Sequence, residues 1–149
     1  GFVGYAVGFA AAAFSIVGFS FILDVPKKFI VASAFTAAIG WTANLFGFYN
    51  GMGDVWGAFL GALLAELLAY IFARALKAPE TIFLICGIIP LVPGAGIYRA
   101  VYYLISGDPL ASSALNLTLM VAGAIALGLI TMYTVLDMLR KGIKKMRRK

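Results

Sequence analysis

Histidine is absent from this sequence, cysteine occurs once, at Cys86, and acidic residues number six. Without histidine there is no imidazole zinc site, no Ser-His triad and no imidazole proton relay. A single cysteine excludes an internal disulfide and leaves the redox compartment unspecified. Charge of either sign is scarce: 12% of the 149 residues are Asp, Glu, Lys or Arg, against about 25% in a soluble domain. That is too little to cover a globular surface in water.

What fills the chain instead is apolar. Hydrophobic residues make up 63% of it, and the mean hydropathy is +1.01. Residues 1–23, 29–53 and 109–136 carry no charge at all. Each run exceeds the ~20 residues that cross a bilayer. The expected class is an all-α integral membrane protein. Residues 1–23 read as a first span and not as a signal peptide, because they lack a basic leading segment.

The net charge of +6 is unevenly placed, with seven of the twelve Lys and Arg residues between Arg140 and Lys149. A basic segment after an apolar helix anchors topology far more often than it binds nucleic acid, so nucleic acid is not an expected partner. The turns at 24–28 and 74–80 are basic, whereas 49–54 and 106–109 carry no positive charge. Eleven of the twelve cations therefore fall on one side. The positive-inside rule then gives five spans, an outside N-terminus and a cytoplasmic C-terminus. A transmembrane domain is expected over 1–139 and a basic cytoplasmic tail over 140–149. The expected location is a bacterial inner membrane, crossed several times.

Asp24, Asp54, Asp108 and Glu80 stand at helix starts, and Asp137 adjoins the basic tail, so all five have structural readings. Asp24 and Asp108 read as N-caps, with Pro109 as the first residue of the last helix. Glu66 has no such reading. In the third span Gly57, Ala58, Gly61, Ala62, Ala65, Glu66, Ala69 and Ala73 share one helical face, opposite a Leu/Phe face. Glu66 therefore points into protein, about 16 Å along its helix. A carboxylate near mid-membrane costs about 2.5–3.5 kcal/mol and usually serves an ion or proton pathway. Its structural alternative is a protonated or Arg-paired packing residue.

The fourth span is interrupted at Pro90–Gly96. Pro90 and Pro93 each remove a backbone donor, and Gly94 and Gly96 allow a ligand close approach. Discontinuous helices of this kind line substrate sites in secondary transporters, with half-helix N-termini facing anionic groups. An outer half-helix beginning near Gly94 would offer free N–H groups there. Arg99 is the one cation away from the basic side. It leans back toward the same spot, and a carboxylate ligand is the expected occupant. Asn44 and Asn116 lie at comparable depth and read either as ligand contacts or as interhelical hydrogen-bonding groups. Arg99 itself has structural alternatives, snorkelling outward or pairing with Glu66.

The run Ile89-Pro90-Leu91-Val92-Pro93-Gly94-Ala95-Gly96-Ile97-Tyr98-Arg99, followed by Ser106-Gly107-Asp108, resembles the signature of the threonine/serine exporter (ThrE) family. The Asp24-Val25-Pro26 turn and the five-span layout agree with its small, YjjB-like component. The resemblance implies proton-coupled export of small amino acids such as threonine and serine, or of dicarboxylates such as succinate. It also implies work with a homologous membrane subunit that bears a cytosolic extension; a homo-oligomer is the other possible assembly. The Pro90–Arg99 motif, including Ala95 and Tyr98, is carried over as substrate-binding. Glu66 as the proton-coupling residue is read from its position alone. The rival classes are a non-transporting structural subunit, with the small-residue faces as its interface, and a channel component. An enzyme is not expected, since no paired intramembrane Asp, Ser-His pair or zinc set is present, and neither a cofactor nor a metal is implied.

Overall fold

Charge-free, proline-free runs become long helices, and proline marks where they stop. The computed structural model describes residues 1–148. Its helices are α1 (Phe2–Ile22), α2 (Ile30–Tyr49), α3 (Gly53–Ala75), α4 (Glu80–Ile88), α5 (Gly94–Ser106) and α6 (Ala111–Met146), with no strand among the described residues. Short 3₁₀ turns at Lys27–Phe29 and Ile89–Leu91 precede α2 and follow α4. Four helices are long and apolar enough to cross a membrane; α4 with its 3₁₀ turn and α5 pass the same test as a pair bent by 48°, the geometry of a broken span or of a re-entrant loop. α6 runs on through the basic segment to Met146. Lys149, the last residue of that segment, lies outside the described residues.

Small residues decide the packing. On α1 the buried face is Gly8, Ala12, Ile16 and Ser20, one residue per turn. It packs on α2, which in turn packs closely on α3. At the α2–α3 crossing a Cβ on Gly57 would sit 2.5 Å from Asn44 Oδ1 and 2.6 Å from the Asn44 carbonyl oxygen. Backbones so close have no room for a side chain, which is how small-residue faces hold membrane helices together. The far side of α3 receives α6, whose Gly128 abuts the Phe59 carbonyl and Ala62. Every residue of the small face of α3 from Gly57 to Ala69 is thus buried, Glu66 among them at 2% exposure.

The turns differ in detail from the sequence expectation. Asp24 does not cap α2; it takes a left-handed conformation (φ 54°) at the corner, and Pro26 precedes the 3₁₀ turn. Asp108 accepts a hydrogen bond from the Leu110 N–H at 2.8 Å. This is a local turn in which Leu110, not Asp108, is the N-cap of α6, and Pro109 stays outside the helix. The alternating helix directions bring the 24–28 turn, the 74–80 turn and the end of α6 to one end of the bundle, the basic end.

Candidate functional site

The break in the fourth span has a definite geometry. Pro93 (φ −77°, ψ 59°) sits at the centre of an inverse γ-turn, in which the Gly94 N–H donates to the Val92 carbonyl at 2.8 Å. The Ile97 N–H then returns to the Pro93 carbonyl at 2.9 Å and starts α5. Gly94's donor is consumed by the turn. The free N–H groups at the start of α5 are therefore those of Ala95 and Gly96, one residue further on than the sequence placed them. On the other side of the break, Leu91 is pinned at 3% exposure among Ala58, Ala62, Val121, Ala124 and Ile125. One side of the hinge is anchored in the core and the other leads away from it.

A cavity of about 310 Å³ opens at this hinge, lined by Trp41 and Asn44 from α2, Asp54 and Ala58 from α3, Pro90–Pro93, Ala95, Gly96 and Arg99, and Leu117, Thr118 and Val121 from α6. Its size is at the lower end of small-molecule pockets, about 300–1,000 Å³. Of the residues singled out from sequence, Asn44, Pro90, Pro93, Ala95, Gly96 and Arg99 share this wall. Gly94, Tyr98, Asn116 and Glu66 stand outside it. Tyr98 is 69% exposed and stacks on Tyr102 along the outer face of α5. Asn116 is exposed because it lies two residues, about 200° of helix rotation, from the cavity-facing Thr118.

Two charges of opposite sign meet in this wall without joining. Asp54, in the first turn of α3, and Arg99, on α5, both line the cavity. Yet the ion pair found among the described residues is Lys141–Asp137, at 2.7 Å on the surface of α6. Glu66, the partner considered for Arg99 on sequence grounds, is elsewhere: its carboxyl faces Glu80 at the start of α4. Three wall residues escaped the sequence reading. Asp54 was absorbed by its helix-start position, Trp41 by its apolar surroundings, and Thr118 by the more polar Asn116 nearby. A signal for Asp54 existed, since it precedes Ala58 of the small face by one turn. Thr118 donates to the Ala114 carbonyl at 2.7 Å, and its Oγ1 would lie 2.8 Å from a Cβ on Gly96. That contact sets how closely α5 rests on α6.

These features define a polytopic α-helical membrane protein with a two-signed cavity at the break between α4 and α5. The family profile described as "Threonine/Serine exporter, ThrE" matches residues 8–135. The chain belongs to this family of amino-acid exporters. The match takes in the hinge, the cavity wall, Glu66 and Glu80. No solved structure matches the chain.

Proposed function

We propose that this chain is a subunit of a proton-coupled exporter of threonine, serine or a similar small amino acid, seated in a bacterial inner membrane with the basic end cytoplasmic. The observation that carries the substrate reading is the shared cavity of Asp54 and Arg99, which hold opposite charges and no mutual ion pair. An amino acid brings a carboxylate and an ammonium on one carbon. Arg99, with the Ala95 and Gly96 N–H groups, suits the carboxylate, and Asp54 suits the ammonium. Asn44 and the Thr118 hydroxyl offer further polar contacts. A dicarboxylate such as succinate, the other substrate class the resemblance implies, would set a carboxylate against Asp54 and is disfavoured for that reason. Glu66, buried and apart from the cavity, is taken as the proton-exchanging group.

The working unit is read as this chain with a homologous membrane subunit bearing a cytosolic extension, or with a second copy. Support comes from α5, which packs mainly on α6 and leaves Arg99 exposed on the open side of the cavity. A cation turned to lipid within the apolar core is costly, so another chain closing that side is the less costly arrangement. The rival scaffold reading relied on the small-residue faces as an outer interface. The small face of α3, from Gly57 to Ala69, is occupied within the chain itself.

The test is flux of labelled threonine, serine and succinate in proteoliposomes, with the chain alone and with a candidate partner, at varied pH. A charge-assisted hydrogen bond contributes about 1.5–3 kcal/mol. Asp54→Asn should therefore weaken threonine and serine transport at low substrate by roughly ten- to a hundredfold, while succinate is unaffected or improved. Equal loss for all three substrates would remove Asp54 as the ammonium partner.

A further inference from the structure

Among the described residues Glu66 has neither a cation nor a hydrogen-bond donor to balance it. It is 2% exposed, and its Oε2 is sealed from solvent with no partner. The helices packed on α3 are α2, α6 and α4. The first has no charged residue and the second none before Asp137. From α4, the group that meets Glu66 is a second carboxyl, that of Glu80, within hydrogen-bonding reach. On α3 itself Arg74 is engaged elsewhere, its guanidinium lying 4.6 Å from the centre of the Tyr70 ring. Two ionised carboxylates in contact within an apolar bundle repel strongly, and one proton held between them removes the repulsion and supplies the missing donor.

We propose that Glu66 and Glu80 form a carboxyl–carboxylate pair that holds a single transferable proton, with Glu80 as its port to the basic end of the bundle. Glu66 is buried in the middle of α3, whereas Glu80 is the first residue of α4 and only partly buried. A proton taken up at Glu80 passes to Glu66 by a switch of the donor in one O–H···O bond: the O–H bond on Glu80 breaks as that on Glu66 forms, and no other reactant is needed. Glu80, given only a helix-start role on sequence grounds, thereby becomes the entry carboxyl of the proton site. A bound cation is less suited to this spot, because no cluster of three or more His, Cys, Asp or Glu side chains is placed to hold a metal among the described residues. The proposal rests on the proton-coupled reading of Glu66 given above.

Infrared spectroscopy of the full chain in liposomes tests the pair without requiring transport. A protonated-carboxyl C=O band is expected at neutral pH, absent from Glu66→Gln. In Glu80→Gln its pH midpoint should move by about one unit or more, a tenfold change in proton affinity; in Glu80→Asp it should return most of the way. An unmoved midpoint in Glu80→Gln overturns the pair, as does a midpoint that follows sodium when choline replaces it. Transport is the second arm: Glu80→Gln should change the pH dependence of threonine efflux. If the infrared midpoint moves and the efflux profile does not, the pair stands and the proton-coupling role of Glu66 falls.

Discussion

Gly57 and Gly94 are the same residue type doing opposite work, and the two regions that hold them differ in the same way. Around Gly57, α2 and α3 touch backbone to backbone, and even a methyl group would overlap the Asn44 carbonyl. Around Gly94, at the head of α5, nothing lies within 4 Å of where a Cβ would go. Helices α2, α3 and α4 close on one another at Gly40, Gly47, Gly57, Gly61 and Gly87, whereas α5 is a short arm fixed at the Pro93 turn and resting on α6. Interfaces built by close approach have one arrangement; a helix held at a hinge and along one face can take two. The cavity lies where these regions meet, Trp41, Asn44 and Asp54 on the locked side and Arg99 and Gly96 on the free side. In the proposed exporter, alternating access is thus expected as motion of α5 about the Pro93 turn, against a wall in which Gly57 fixes α3 to α2 and Gly128 fixes α6 to α3.

The largest effect expected from this contrast is at the locked side. Gly57→Val puts a branched side chain where a single Cβ already lies 2.6 Å from a backbone oxygen. Overpacking costs about 1–3 kcal/mol where neighbours can move, and a backbone carbonyl gives less than a side chain does. Loss of monodisperse protein in detergent and a lowered melting temperature should follow, with transport lost as a consequence. A variant that stays folded with normal flux would show that the α2–α3 crossing has slack, and the contrast would fail.

A smaller effect is expected where the arm rests on α6. Gly96→Ala places its methyl 2.8 Å from Thr118 Oγ1 but 3.6 Å or more from the other neighbours. Folding should survive while α5 is displaced and transport falls severalfold. Thr118→Ala removes the offending hydroxyl, so the double variant Gly96→Ala with Thr118→Ala should transport better than Gly96→Ala alone. A double-mutant cycle measures this coupling directly, and purely additive losses would mean that the Gly96–Thr118 contact does not set the arm's position.

Much of the locked region was legible in the sequence. The small face of α3 from Gly57 to Ala69 is visible from its spacing, as are the buried position of Glu66 and the break between Pro90 and Gly96. Periodicity carries that information, because a helix face is a local property. What the sequence did not reveal was which polar residues share a cavity. Asn116 and Thr118 are two residues apart on one helix and point to nearly opposite sides, a phase set by how α6 packs on α3 and α5. Asp54 and Glu80 look alike on paper, each an acid in a first turn. One ends in the cavity wall and the other against Glu66, and only the packing of helices distant in sequence separates them.

The smallest expected effect is also the one that most sharpens the contrast. Gly94 belongs to the motif carried over as substrate-binding, yet its donor is used in the γ-turn and it stands outside the cavity wall. Its backbone is not in the left-handed region that would require glycine. Gly94→Ala should therefore fold normally and gain a few tenths of a kcal/mol toward the ~1 kcal/mol that separates alanine from glycine in a helix interior. Threonine flux and its concentration dependence should be unchanged within error, in contrast to the loss at Gly96 two residues on. A rise in the half-saturating substrate concentration with stability intact would mean that another conformation brings Gly94 to the substrate. The open space at the head of α5 would then belong to the transport path and not to the hinge alone.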